Sequence, residues 1–170
     1  TMWEHNLDAL RRRWALGASD VLWLTLPMFH THGLVLGFHG ALLRGSRVIL
    51  SARFDPVRPP GEATHFYGVP TYYRRWLPLM EESPEAFSGL RLLVSGSDGL
   101  SAEVNDAVFA ATGKRVLERY GMTETVMISS NPFEGERRAG TVGTALDGAE
   151  VALAPCSVRC HGRTMPRHRW

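Results

Sequence analysis

A chain of 170 residues, 44% apolar and 21% charged, can build one domain with a true core but not two large ones. Its formal net charge of +2 hides a split: ahead of residue 155 fifteen basic residues face seventeen acidic ones, while residues 155–170 hold four arginines and no acid. No apolar run reaches the ~18 residues of a membrane span, and no basic face with interleaved aromatics points to nucleic acid. Glu4, His5, Asn6 and Asp8 fall where a signal peptide would be apolar, so a cytoplasmic protein is expected.

Residues 21–26 form a short β-rich run, broken by Pro27 and a turn bearing His30 and His32. An apolar helix over 33–43 follows, ending at Arg44-Gly45, a suitable C-cap. A strand over 47–50 comes next, and Pro56, Pro59, Pro60 and Gly61 then preclude a long helix. Residues 65–69 read as a strand, and Pro70 opens a helix running to about Met80. A strand over 92–94 leads to the turn Ser95-Gly96-Ser97-Asp98-Gly99. Ser101 starts a helix with Glu103 and Asp106 in its first turns, which ends at Gly113. The last strand covers 116–118. Strands alternating with helices of this length predict an α/β fold on a parallel or mixed sheet of βαβ units.

The octet over 118–125, Glu-Arg-Tyr-Gly-Met-Thr-Glu-Thr, carries the most chemistry. It is expected on a loop at the carboxyl end of a strand, where open α/β sheets build their sites. Tyr120 offers a flat face for stacking, and Gly121 permits a close backbone approach. Thr123 and Glu124 supply the hard oxygens that suit Mg²⁺ bound with a nucleotide. The plainer alternative is a strand followed by a polar turn that caps a helix.

Other segments add possibilities. His30 and His32 have no third ligand at metal spacing, so an imidazole-and-aromatic wall beside a ligand suits them better. The strand end over 68–75 runs into a helix whose N-terminus suits an anion. Arg75, one turn in, could offer a fork to a carboxylate, although Arg74 and Arg75 also fit a solvated helix face. The order Gly-x-Ser-x-Gly of a hydrolase elbow is not met at 95–99, and Gly113-Lys114-Arg115 makes no P-loop.

Taken together, LPMFHTHGL (26–34), FYGVPTYYRR (66–75), RLLVSGSDGL (91–100), ERYGMTET (118–125) and RAGTVGTALDGAEV (138–151) resemble the adenylate-forming superfamily. That superfamily holds acyl-CoA synthetases, adenylation domains and luciferases. HTHGL paired with GVPT-x-Y-x-R, and SSNPFEGERRAGTVG after the octet, are most similar to malonyl-CoA synthetases. Those enzymes activate malonate with ATP to an acyl-adenylate and transfer it to CoA. The resemblance implies that Tyr120 stacks on adenine, beside Ser95, Gly96, Ser97, Gly121 and Met122. It implies that Thr123 holds phosphate, Glu124 holds Mg²⁺ and His30 lies against the reacting carboxylate. Thr31 and Met127 would line the acyl pocket, and Arg75 would pair with malonate's distal carboxylate.

The departures set further expectations. The family's Ser/Thr/Gly-rich phosphate loop lies upstream of His5, and its ribose aspartate, hinge and catalytic lysine lie downstream; none is found here. Residues 1–154 therefore read as part of the large AMP-binding domain, with little or no ligase activity expected of the chain alone. Residues 155–170 read as a frameshifted, alternatively terminated or disordered basic tail, in which Cys156, Cys160 and His161 have the look of a metal knuckle. Two other readings stand beside the ligase: a non-catalytic fragment binding nucleotide or a partner chain, and part of an adenylation domain serving a carrier protein.

Overall fold

The computed structural model describes residues 2–152, so the basic tail and its Cys156–His161 cluster lie outside the described residues. Helix α1 (Met2–Arg13) precedes strand β1 (Val21–Leu24). After a turn, His32–His39 winds as a π-helix and continues directly into helix α2 (Gly40–Arg44). Strands β2 (Arg47–Leu50) and β3 (His65–Gly68) follow, then helix α3 (Pro70–Glu82). Strand β4 (Leu92–Ser95), helix α4 (Ala102–Thr112) and strands β5 (Leu117–Met122), β6 (Val126–Ser130) and β7 (Thr144–Ala145) complete the order.

The strands form one seven-stranded sheet in the order β2-β1-β3-β4-β5-β6-β7. The four pairings from β2 to β5 are parallel, and β6 and β7 add antiparallel. The expected α/β class with a mostly parallel sheet is what the chain adopts. Strands β1, β3 and β4 are buried at every position, as expected of parallel strands covered on both faces. One face packs Leu22, Leu24, Tyr67 and Val94 under α1 and the π-helix through Leu10, Trp14 and Leu36. The other packs Trp23, Phe66 and Leu93 against Tyr73, Trp76 and Met80 of α3 and Val108 of α4.

Local signals explain most boundaries. Pro70 sits in the first turn of α3. The Ser101 hydroxyl accepts from the Val104 N–H, 3.4 Å away, to cap α4. Gly45, at φ 69°, closes α2 as its sequence suggests. Helix α1 is absent from the sequence-based reading, because Glu4, His5, Asn6 and Asp8 dilute its apolar stripe. Leu7, Leu10 and Trp14 nevertheless recur at helical spacing and are buried. No helix among the described residues is long and apolar enough to cross a membrane.

The octet departs from expectation. Rather than a loop after a strand ending at Glu118, its first five residues are strand, and only Thr123, Glu124 and Thr125 make the turn into β6. Pairing with β6 is what extends the strand. The register shifts between Tyr120 and Gly121, and a Cβ at Gly121 would stand 1.9 Å from the Val126 carbonyl oxygen. Only glycine permits that approach.

A polar network ties the amino ends of three parallel strands together. Asp20 precedes β1, Thr64 precedes β3 and Arg91 precedes β4. Arg91 donates from Nε to Asp20 Oδ1 at 2.9 Å and from Nη2 to Oδ2 at 2.6 Å. The Gly17 N–H and Thr64 hydroxyl donate to the same carboxylate at 2.8 and 3.0 Å. This network lies at the end of the sheet opposite the candidate site.

Candidate active site

At the carboxyl ends of the parallel strands the chain leaves a cavity of about 440 Å³. Its walls come from four segments that are distant in sequence. The turn after β1 gives Leu26, Pro27, His30, Thr31 and His32. The entry to α3 gives Val69 and Tyr72, the turn after β4 gives Ser97, and the β5–β6 hairpin gives Arg119, Gly121, Met122, Thr123 and Met127. Such a crevice outside the strand ends is where an open α/β sheet holds its ligand.

Seven of the expected site residues meet here: His30, Thr31, Ser97, Gly121, Met122, Thr123 and Met127. The Thr31 and Thr123 hydroxyls stand 3.5 Å apart, so two segments about ninety residues apart present oxygens to one spot. His30 is exposed and its ring lies 4.6 Å from that of Phe29. Ser97 adopts φ 69°, a left-handed backbone that is uncommon for a residue with a side chain.

The remaining expected residues lie beside the cavity rather than in its wall. Ser95 is buried with its hydroxyl unpartnered among the described residues, and Gly96 is buried beneath Arg119. Tyr120 is 40% exposed on β5, and Glu124 is exposed at the hairpin turn.

Arg75 lies apart from these residues. It is exposed on α3, with its guanidinium 5.5 Å from the centre of the Phe54 ring, and it takes no part in the cavity. Tyr73, Trp76 and Met80 occupy the buried stripe of α3, which turns positions 74 and 75 toward solvent. Tyr72 is the residue of that helix that reaches the cavity wall.

The cation in the wall is Arg119, which the sequence-based reading passes over. It is 5% exposed, and its Nε and Nη2 have no hydrogen-bond partner among the described residues. Burial pulls its pKa down to about 10, and the groups opposing that shift are the phenols of Tyr67 and Tyr73 rather than any carboxylate. At neutral pH it remains a cation. His32 lies in the same wall, fully enclosed. Burial foremost, and Arg119 beside it, hold its pKa well below the ordinary histidine value, so its ring is neutral. Its Nδ1 faces the Ser97 hydroxyl at 3.5 Å.

Glu118 is the second residue missed. Its carboxylate accepts from the Leu100 N–H at 3.2 Å and the Gly140 N–H at 3.0 Å, fastening two loops to β5. Burial raises its pKa, an effect those hydrogen bonds partly offset. Two adjacent charged residues inside a buried strand are themselves a signal, because charges are seldom buried without a task.

No three His, Cys, Asp or Glu side chains converge on a metal position among the described residues. A divalent ion here would draw on Glu124 and on oxygens of its ligand. That donor set suits Mg²⁺, which usually takes one or two carboxylates together with phosphates.

The chain belongs to the family of AMP-binding enzymes, whose profile matches residues 2–159. It is 37% identical over 172 residues to a probable CoA ligase of Humulus lupulus, covering 87% of this chain and 28% of that protein. It is 35% identical over 167 residues to a malonate–CoA ligase of Arabidopsis thaliana, covering 85% of this chain and 28% of that protein. Among solved structures, a malonyl-CoA ligase with methylmalonyl-CoA and AMP bound superposes with a TM-score of 0.77 at 46% identity. That match covers 85% of this chain and 33% of the other. The chain thus spans less than a third of the length of each of these two curated relatives.

Proposed function

We propose that this chain forms the acid-binding part of a ligase that joins a dicarboxylic acid, malonate foremost, to CoA through an acyl-adenylate. The observation that carries the reading is Arg119, a cation enclosed in the cavity wall with two donors unused and no carboxylate partner among the described residues. An uncompensated buried charge is costly, so the site is built for a ligand that supplies the missing anion. A fatty acid has no second charge to offer; malonate does.

In this reading Arg119 holds the distal carboxylate as a fork, and Met127 and Tyr72 exclude water around the carbon chain. His30 stands by the reacting carboxylate, one of whose oxygens attacks the α-phosphorus of ATP as pyrophosphate leaves. The thiol of CoA then attacks the acyl carbonyl and AMP departs. Thr123, with Thr31 across from it, positions phosphate oxygens, and Tyr120 offers a stacking face to adenine. Glu124 is the residue that would hold Mg²⁺, which when bound offsets the charge repulsion between carboxylate and phosphate.

Isothermal titration of the 170-residue chain with malonate and with propionate tests this. Malonate is expected to bind, and Arg119→Leu to weaken it at least about thirtyfold, as truncation of a buried charged pair does. Propionate binding is expected to change little. Equal malonate affinity in the Arg119→Leu chain would reject the assignment.

A further inference from the structure

Resting on that reading of Arg119, we infer that Gly96 is the specificity-determining partner of Arg119: the side chain it lacks is the seat of the guanidinium. Strands β4 and β5 run side by side with Ser95 opposite Glu118, which sets Gly96 beside Arg119. A Cβ at Gly96 would lie 2.2 Å from Arg119 Cζ, 2.5 Å from Nη1 and 2.6 Å from Nε. Non-bonded carbons normally rest about 3.5–4 Å apart, so a methyl and the guanidinium exclude each other.

The constraint at Gly96 is space, not backbone conformation. Its φ lies outside the left-handed region, so alanine can take the same backbone. The clashing atoms are the far end of a long side chain, and the open cavity adjoins them. An added methyl therefore moves the guanidinium out of its seat and into the space the acid occupies, while the sheet stays intact. Gly99, three residues on, provides the control, because a Cβ there meets nothing within 4 Å.

The inference ties specificity to two positions together. A cation at 119 is aimed only while residue 96 has no side chain, and a side chain at 96 is harmless only when 119 is short. A double-mutant cycle on malonate affinity reads this directly. Gly96→Ala is expected to weaken malonate binding about tenfold or more, and Gly99→Ala to leave it unchanged. In the Arg119→Leu background, Gly96→Ala is expected to have no further effect, because the excluded group is gone.

The outcomes separate this inference from the reading beneath it. Weak malonate binding in Arg119→Leu with normal binding in Gly96→Ala would overturn the inference and leave the proposed function standing. An equal loss from Gly96→Ala in both backgrounds would also overturn it, since Arg119 would not be the target. Normal binding in Arg119→Leu would overturn both. Should Gly96→Ala unfold the chain, the urea midpoint decides: recovery in the Gly96→Ala, Arg119→Leu double variant supports the seat, and no recovery rejects it.

Discussion

Trp76→Ala is expected to cost about 4 kcal/mol, near the middle of the range for emptying an aromatic site in a packed core. Trp76 is fully enclosed between α3 and the sheet. Its ring lies 4.6 Å from Phe66, 5.6 Å from Trp23, 4.9 Å from Phe87 and 5.5 Å from Phe54, so four aromatic neighbours lose their common partner at once. Its indole N–H donates to the Val57 carbonyl at 2.8 Å, holding the proline-rich segment against the core. Alanine would leave both a cavity and an orphaned carbonyl. With a whole-domain stability of about 5–15 kcal/mol, that is a large fraction of the total. Urea unfolding would show a lower midpoint with little change in slope. Trp76→Phe keeps most of the ring and loses the hydrogen bond, for about 1–2 kcal/mol. A loss under about 1 kcal/mol in Trp76→Ala would mean that the aromatic cluster is not what supports α3.

Asp20→Ala is expected to cost about 3 kcal/mol at pH 7, the low end for breaking a buried ion pair. Asp20 is 5% exposed and receives hydrogen bonds from Gly17, Thr64 and, through both branches, Arg91. The Arg91 side chain is 31% exposed and can rehydrate, which limits the penalty. Although burial, the largest influence, pushes the Asp20 pKa up, Arg91, Gly17 and Thr64 outweigh it and bring it down to about 2. The folded state therefore holds Asp20 ionised more strongly than the unfolded chain, near 3.9, does. Its stabilisation is complete above pH 4 and is lost as pH falls toward 2.

His65 adds an earlier loss on the same acid limb. Burial brings its pKa down to about 3, with Asp20 opposing that shift. The Thr64 hydroxyl donates to Asp20 and lies 3.1 Å from His65 Nδ1, so the network assigns the imidazole proton to Nδ1. A histidine kept neutral when folded and near 6.5 when unfolded contributes its full stability above pH 6.5, which is lost as pH falls toward 3. The enclosed His32 titrates in the same direction. The urea midpoint is thus expected to be flat above pH 7, to decline from about pH 6.5 and to decline further below pH 4. A midpoint constant between pH 7 and pH 5 would show that these imidazoles are not held neutral by the fold.

Much of the architecture is legible along the chain because its causes are local. Apolar runs bounded by glycine and proline give β1 to β4, Pro70 and Ser101 mark helix starts, and Gly45 marks a helix end. The order of the motifs gives the family, and strand-end turns gather His30, Thr31, Ser97 and Thr123 around one cavity. Among the elements that escape a local reading, two show the reason. Helix α1 is stabilised by packing its Leu7 and Leu10, with Trp14 just past its end, on the sheet rather than by its own polar sequence. Strand β6 exists because it pairs with the octet, which makes strand of what reads as loop.

Which arginine lines the cavity is a question of the second kind. By sequence Arg75 and Arg119 are both arginines near a strand end, and nothing local separates them. The sheet decides between them. Packing Tyr73, Trp76 and Met80 inward rotates Arg75 to the surface, while the bare backbone of Gly96, just past the end of the neighbouring strand, leaves room for Arg119 beneath the cavity. The order of motifs along the chain is enough to give the family. Only the tertiary structure could select the arginine that lines the cavity, because a side chain's direction depends on which face its element buries and on what the adjacent strand leaves empty.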